Sequence, residues 1–131
     1  MMTENIKALV TYRLEQADES LEAARTLLKK GLISPTINRA YYAMFYAVLA
    51  LLVLEKKETS KHGGAIALFD RDFVKKGIFA KDFSRWLHDA FDLRQRSDYA
   101  ALYHPSTDEA EKTLENARAF VLEVKRQIKK I

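Results

Sequence analysis

From Ser34 to Lys57 the chain reads SPTINRAYYAMFYAVLALLVLEKK, and this stretch constrains the fold more than any other. Ser34 is a helix-capping residue type, and Pro35 suits the first helical position, where no backbone N–H is needed. Beyond them the apolar side chains fall at helical spacing along two adjacent seams. Tyr42, Phe45, Leu49 and Leu52 form one; Tyr41, Met44, Val48 and Leu51 form the other. A helix apolar around so much of its girth needs cover on several sides. It is expected to be the centre of a bundle or to be shared with a second subunit. Its longest apolar run, Ala40 to Leu54, holds three tyrosines and falls short of the ~20 residues a membrane span requires.

The flanking sequence supplies the cover. Ile6, Val10, Leu14, Ala17, Leu21, Ala24 and Leu28 make a stripe in a first helix expected from about Thr3 to Lys30, with Gly31 as its stop. Thr59 or Ser60 is a cap for a short third helix that turns His62, Ile66, Phe69 and Phe73 inward and closes at Lys75, Lys76 and Gly77. A fourth helix is expected from about Ala80 to about Ala101, ended by Pro105. Ser106-Thr107-Asp108-Glu109 reads as a capping box for a fifth, with Ala110, Leu114, Ala117, Val121, Val124 and Ile128 on its core face. Four glycines and two prolines in 131 residues leave few breaks, and no run alternates with period two long enough for a strand. The expected fold is all-α: an antiparallel up-and-down bundle of four main helices plus one short helix, as a single domain over 1–131.

Composition closes several routes to function. Without cysteine there is no disulfide and no thiolate zinc site. Three scattered histidines without an acidic cluster make a poor metal site, so no metal or cofactor is expected. No P-loop, glycine-rich dinucleotide turn or nucleophile elbow is present. The opening MMTENIKALV lacks the basic-then-apolar layout of a signal peptide, so a soluble cytoplasmic protein without a membrane partner is expected. A net charge of +4 permits a nucleotide or RNA partner without requiring one. Part of that charge lies in the terminal KRQIKK, where it also complements a helix C-terminus.

Chemistry concentrates in LRQRSDYAALYHP, Leu93 to Pro105. Phe83, Trp86, Leu87, Ala90 and Phe91 set an inner helix face, and further steps of three and four land on Arg94 and Asp98. Charges on a core seam are costly unless paired. Arg94 and Asp98 read either as a structural ion pair or as a phosphate-binding arginine held by its acid; the planar guanidinium donates two parallel hydrogen bonds. Arg96 faces elsewhere. With Tyr99 and Tyr103 it could hold a base by stacking and its phosphate by charge, or the tyrosines simply pack the helix end. His104 is either an exposed loop residue or a proton-transfer group. In the second case it would deprotonate a ribose 2′-hydroxyl while Arg96 stabilises the phosphorane, without a metal. Asn38 and Arg39 lie in the expected first turn of the second helix, where free N–H groups favour an anion. His62 and His88 read as packing or surface residues, and Tyr41 and Tyr42 as core.

Three blocks in order, NRAYYAMFYAVLALL, SKHGGAIALFDRDFVKKG and LRQRSDY, resemble the HEPN domains (higher eukaryotes and prokaryotes nucleotide-binding). The similarity runs from about Leu21 to Val124 and is strongest to the small stand-alone prokaryotic members. The resemblance implies a helical bundle, usually a homodimer. It also implies kinship with the helical domain that accompanies aminoglycoside-type nucleotidyltransferases. Such proteins are often encoded beside a minimal nucleotidyltransferase as toxin–antitoxin pairs. Many members are metal-independent endoribonucleases with an arginine followed after four to six residues by a histidine. Here seven residues separate Arg96 from His104, and nine separate Arg94 from it. Arg94, Arg96, Asp98 and Tyr99 match the arginine and Asp-Tyr positions of the stand-alone group.

The function expected from residues and resemblance together is binding of nucleotide or RNA phosphate by a homodimer, with Arg94, Arg96, Asp98, Tyr99, Tyr103, Asn38 and Arg39 as site residues. A minimal nucleotidyltransferase is the expected protein partner, in a toxin–antitoxin-like pair. The alternatives are a metal-independent endoribonuclease toxin using Arg96 and His104, and a non-catalytic interaction module.

Overall fold

Thr3 starts the first helix by its side chain: its hydroxyl oxygen accepts from the Ile6 N–H at 3.2 Å, and α1 runs Glu4–Lys29. The computed structural model describes residues 3–59, 61–99 and 101–131. At the end of α1, Gly31 takes φ +75°, and the Leu32 N–H returns to the Leu27 carbonyl at 3.0 Å. That closure feeds directly into α2, Ile33–Leu54.

The second helix therefore starts earlier than Ser34 and Pro35 suggest. Leu32 is its cap residue and makes no side-chain capping bond. The Thr36 hydroxyl and N–H both donate to the Leu32 carbonyl, at 2.7 and 3.1 Å. Pro35 is accommodated inside the first turn, where a missing N–H leaves nothing unpaired. A consequence is that Asn38 and Arg39 lie beyond the first turn. Their backbone N–H groups belong to the helical ladder, so the expected free N–H cradle for an anion is absent there.

One seam of α2 is buried completely: Tyr41, Met44, Val48 and Leu51 are at most 1% exposed. The other seam is mixed, with Phe45 and Leu52 buried and Tyr42 and Leu49 half-buried. By length and composition α2 could cross a membrane, but 61% of its most apolar window is covered by the other helices. It is the core helix, with α1, α4 and α5 packed around it.

The short α3, His62–Phe69, runs on into a π-helical segment, Asp70–Val74. Lys61 is the cap residue; its N–H donates to the Thr59 hydroxyl at 3.2 Å, and Ser60 lies outside the described residues. A Cβ at Gly64 would stand 2.9 Å from Thr59 Oγ1, so a side chain there would have to displace the Thr59 hydroxyl. Gly77, at φ +81°, ends the segment. The fourth helix, α4, is Lys81–Tyr99. The fifth, α5, is Thr107–Lys129 and opens on the expected capping box: Glu109 N–H to Ser106 Oγ at 3.1 Å, and Ser106 N–H to Glu109 Oε1 at 2.9 Å. Among the described residues there is no strand, and the all-α bundle of four main helices and one short one is the fold observed. A cluster of rings joins Phe69 and Phe79 to Phe83 of α4 and Phe120 of α5, with ring centroids 5.1–6.4 Å apart.

Candidate functional site

Helical phase separates the two arginines of LRQRSDY. Arg94 follows Leu87 and Ala90 around α4 and faces α2, only 8% exposed. Arg96 lies two residues further, on the opposite side, and is exposed. The structure therefore distributes the sequence-predicted site residues over two places.

The first place lies between α2, α3 and α4. Arg94 Nη1 stands 3.8 Å from Asp98 Oδ2, a long contact for an ion pair. Asn38 Nδ2 donates to the same Asp98 oxygen at 3.2 Å, and Arg39 Nε donates to Asn38 Oδ1 at 3.1 Å. A polar chain thus links Arg94, Asp98, Asn38 and Arg39 across two helices. Aromatic rings seat both guanidiniums. Arg94 lies 5.2 Å from the Tyr41 centroid and 5.6 Å from that of Tyr42, and Arg39 lies 4.8 Å from Tyr42. Arg94 Nε and the Ser97 hydroxyl are buried without a hydrogen-bond partner among the described residues. Arg39 meets no carboxylate within ion-pair distance among them. Arg94 therefore faces a single, distant carboxylate and keeps an unused donor, while Arg39 reaches Asp98 only through Asn38 and borders a groove that also holds Glu19. Such a site is complementary to an anion.

His62 belongs to this place, although the sequence reading set it aside as packing or surface. Its Nδ1 is 2.6 Å from the Tyr41 hydroxyl, and its ring stacks on Phe45 with centroids 4.2 Å apart. Burial holds the Tyr41 phenol above its ordinary range, and burial followed by the Arg94 charge holds the His62 imidazole below its own. Both groups are therefore neutral near pH 7. Only the position of His62 on the inner face of α3 hinted at this. Its partner lies 21 residues away on another helix, beyond any local spacing rule.

A depressed folded-state histidine has a signed effect on stability. The contribution is complete above the ordinary value of 6.5 and is lost as pH falls towards the folded-state value, because the unfolded chain takes up the proton first. Urea midpoints should therefore drop between neutral and mildly acidic pH, and His62→Gln should flatten that drop. Parallel wild-type and variant profiles would show that His62 does not carry it.

The second place is the far side of α4. Arg96 sits 4.9 Å over the Tyr103 ring, and the Tyr103 hydroxyl donates to Glu109 Oε2 at 2.9 Å. Burial, followed by Glu109, raises the Tyr103 phenol, and hydrogen bonds from Ser106 and Tyr103 lower the Glu109 carboxyl. Arg96 borders an open trough of about 780 Å³ between α4 and α5, which it shares with Asp92, Glu109 and Lys112. His104 is exposed, with no hydrogen bond to Arg96 or to any other described residue. Tyr99 is 77% exposed.

The remaining charged clusters are structural. Asp70 accepts from Ser84 at 2.7 Å and lies 2.6 Å from His88 Nε2, tying the π-helical segment to α4. Asp72 is buried and bonded by Lys57 at 2.6 Å and Arg71 at 2.7 Å, which holds its carboxyl well below the usual carboxylate range. Among the described residues no group of three or more metal-ligating side chains forms.

Against this geometry the comparisons with known proteins are direct. A family model described as the HEPN domain matches residues 10–127. The chain belongs to the HEPN family. Among its HEPN relatives is a protein of Methanocaldococcus jannaschii named "Putative toxin", 31% identical over 131 residues, which are 100% of this chain and 97% of that protein. A UPF0332 protein of Thermotoga maritima is 34% identical over 113 residues, 86% of each chain. One from Archaeoglobus fulgidus is 34% identical over 118 residues, 90% of this chain and 94% of its own. This HEPN chain is thus matched over nearly the full length of small prokaryotic proteins.

Proposed function

We propose that this HEPN protein binds the phosphate of RNA or of a nucleotide at Arg94 and Arg39, with Asp98 and Asn38 orienting the two guanidiniums. The observation that carries the reading is the pair of guanidiniums on the Tyr42 ring, with Arg94 held 3.8 Å from Asp98 and its buried Nε without a hydrogen-bond partner among the described residues. The "Putative toxin" name of the Methanocaldococcus relative supports a toxin-like role. The proposed partner protein is a minimal nucleotidyltransferase, the expectation carried by the family resemblance. Arg96, Tyr103 and Tyr99 would then lie outside the primary phosphate contact, on the side open to a longer strand or to that partner. Single-stranded RNA should bind with an affinity that falls as salt rises, and it should remain intact in the presence of a chelator. RNA cleavage lost equally on Arg96→Ala and His104→Ala would replace this reading with that of a metal-independent endoribonuclease.

The proposed assembly is a homodimer. Tyr46, Leu49 and Val53 leave a half-buried apolar face on α2, and Leu49 and Val53 share a groove with exposed Leu9 of α1 that Arg13, Lys57 and Glu58 edge with charge. Contiguous faces of this kind are covered in stable soluble proteins. Light scattering at micromolar concentration should return twice the 15.1 kDa chain mass, and a monomer mass would exclude the dimer.

A further inference from the structure

The Tyr41 hydroxyl is fully enclosed, and its one partner among the described residues is His62 Nδ1. A buried hydroxyl without another acceptor must donate to that nitrogen, so Nδ1 accepts and the ring proton of His62 sits on Nε2. Around the imidazole stand Tyr41, Tyr42 and Phe45 from α2, and Phe91 and Arg94 from α4. Its own helix adds only the neighbouring Lys61, which is exposed. Burial opposes a proton on His62 first, and of these groups Arg94 adds the opposing charge. Arg94 also lies over the Tyr41 ring, so the two share a direct neighbour. An anion seated at Arg94 cancels that opposing charge.

We propose that His62 is the proton-coupled member of the anion site: an anion bound at Arg94 is taken up together with a proton on His62. This inference rests on the phosphate-binding reading above and adds a regulation to it. The proton comes from solvent and ends on Nδ1, which then donates to the Tyr41 oxygen. No bond other than the new N–H is made, and none to carbon or phosphorus is broken. Because coupling between two ligands is reciprocal, the proton also tightens the anion. His62 acts through Tyr41 and Arg94 and is a positioning residue.

The probe is diuridine phosphate, whose single phosphodiester does not titrate near neutrality. Calorimetry in buffers of different ionisation heat should show net proton uptake on binding by the wild-type chain. Affinity should rise as pH falls, by up to about tenfold per pH unit where one full proton is taken up. In NMR titrations of the wild-type protein, the ring of His62 should titrate at higher pH with the dinucleotide bound than without it. His62→Gln should lose the pH slope, and Arg94→Gln should raise the titration of His62 in the free protein. Binding with a flat pH profile and an unchanged His62 titration overturns the proton coupling while the phosphate reading stands. Failure of the dinucleotide to bind at any pH overturns both.

Discussion

Phe120→Ala should destabilise the protein by about 3–5 kcal/mol, the usual range for truncating an enclosed aromatic. Phe120 is 0% exposed, and its ring lies 5.3 Å from Phe69, 5.9 Å from Phe83 and 6.4 Å from Phe79. Removing it opens a cavity where α5 meets both the short helix and α4, and rigid neighbouring rings fill such a gap poorly. Leu122 of the same helix is 70% exposed, so Leu122→Ala should change stability by no more than about 0.5 kcal/mol. Urea unfolding followed by circular dichroism measures both. A Phe120→Ala loss below about 1 kcal/mol would mean that the rings at the α3–α4–α5 junction are not tightly packed.

The second large effect concerns binding. Arg94→Ala should weaken RNA by roughly 10- to 100-fold, since a charge-assisted hydrogen bond contributes about 1.5–3 kcal/mol. The same change leaves Asp98 with only the Asn38 amide beside it, so stability falls as well. The long 3.8 Å contact and the partial exposure of Asp98 keep that loss below the 3–5 kcal/mol typical of a fully buried ion pair. Arg39→Ala should weaken RNA with little stability loss, because the one hydrogen bond of its side chain among the described residues is to Asn38. Arg96→Ala should have a smaller effect than either, since its guanidinium stacks on Tyr103 across the helix. Fluorescence anisotropy with a labelled single strand at fixed salt ranks the three variants. Arg96→Ala as the most damaging of them would move the site to the α4–α5 trough.

Much of the fold was legible because it follows local rules. The α5 capping box is four consecutive residues, and the α1 stripe is a plain repeat of three and four. The start of α2 was misplaced because Leu32, a poor capping type, is positioned by the Gly31 turn and the returning Leu27 bond, not by its side chain. The π-helical segment left no local sign. Within it, Asp70 and Asp72 reach partners on α4 and just beyond α2, contacts between elements that no local pattern records.

Legibility of the site followed the same division. Counting along α4 put Arg94 and Asp98 on one inward face, and that is a property of a single helix. Asn38 and Arg39 were singled out for backbone N–H groups that the ladder in fact uses, yet their side chains reach the same place. The Asn38–Asp98 bond spans 60 residues, and no spacing rule carries that far. Arg96, Tyr103 and His104 are close in sequence, but the helix separates Arg96 from Arg94, and the loop leaves His104 exposed.

The central claim is that Arg94 and Arg39 together hold the phosphate. NMR of the arginine Nε–H groups during titration with diuridine phosphate tests it most directly. The Arg94 and Arg39 signals should shift together, with one half-saturation point, while Arg96 and Arg85 stay still. Movement of Arg96 with Arg94 and Arg39 unchanged would contradict the account and place the anion in the trough between α4 and α5.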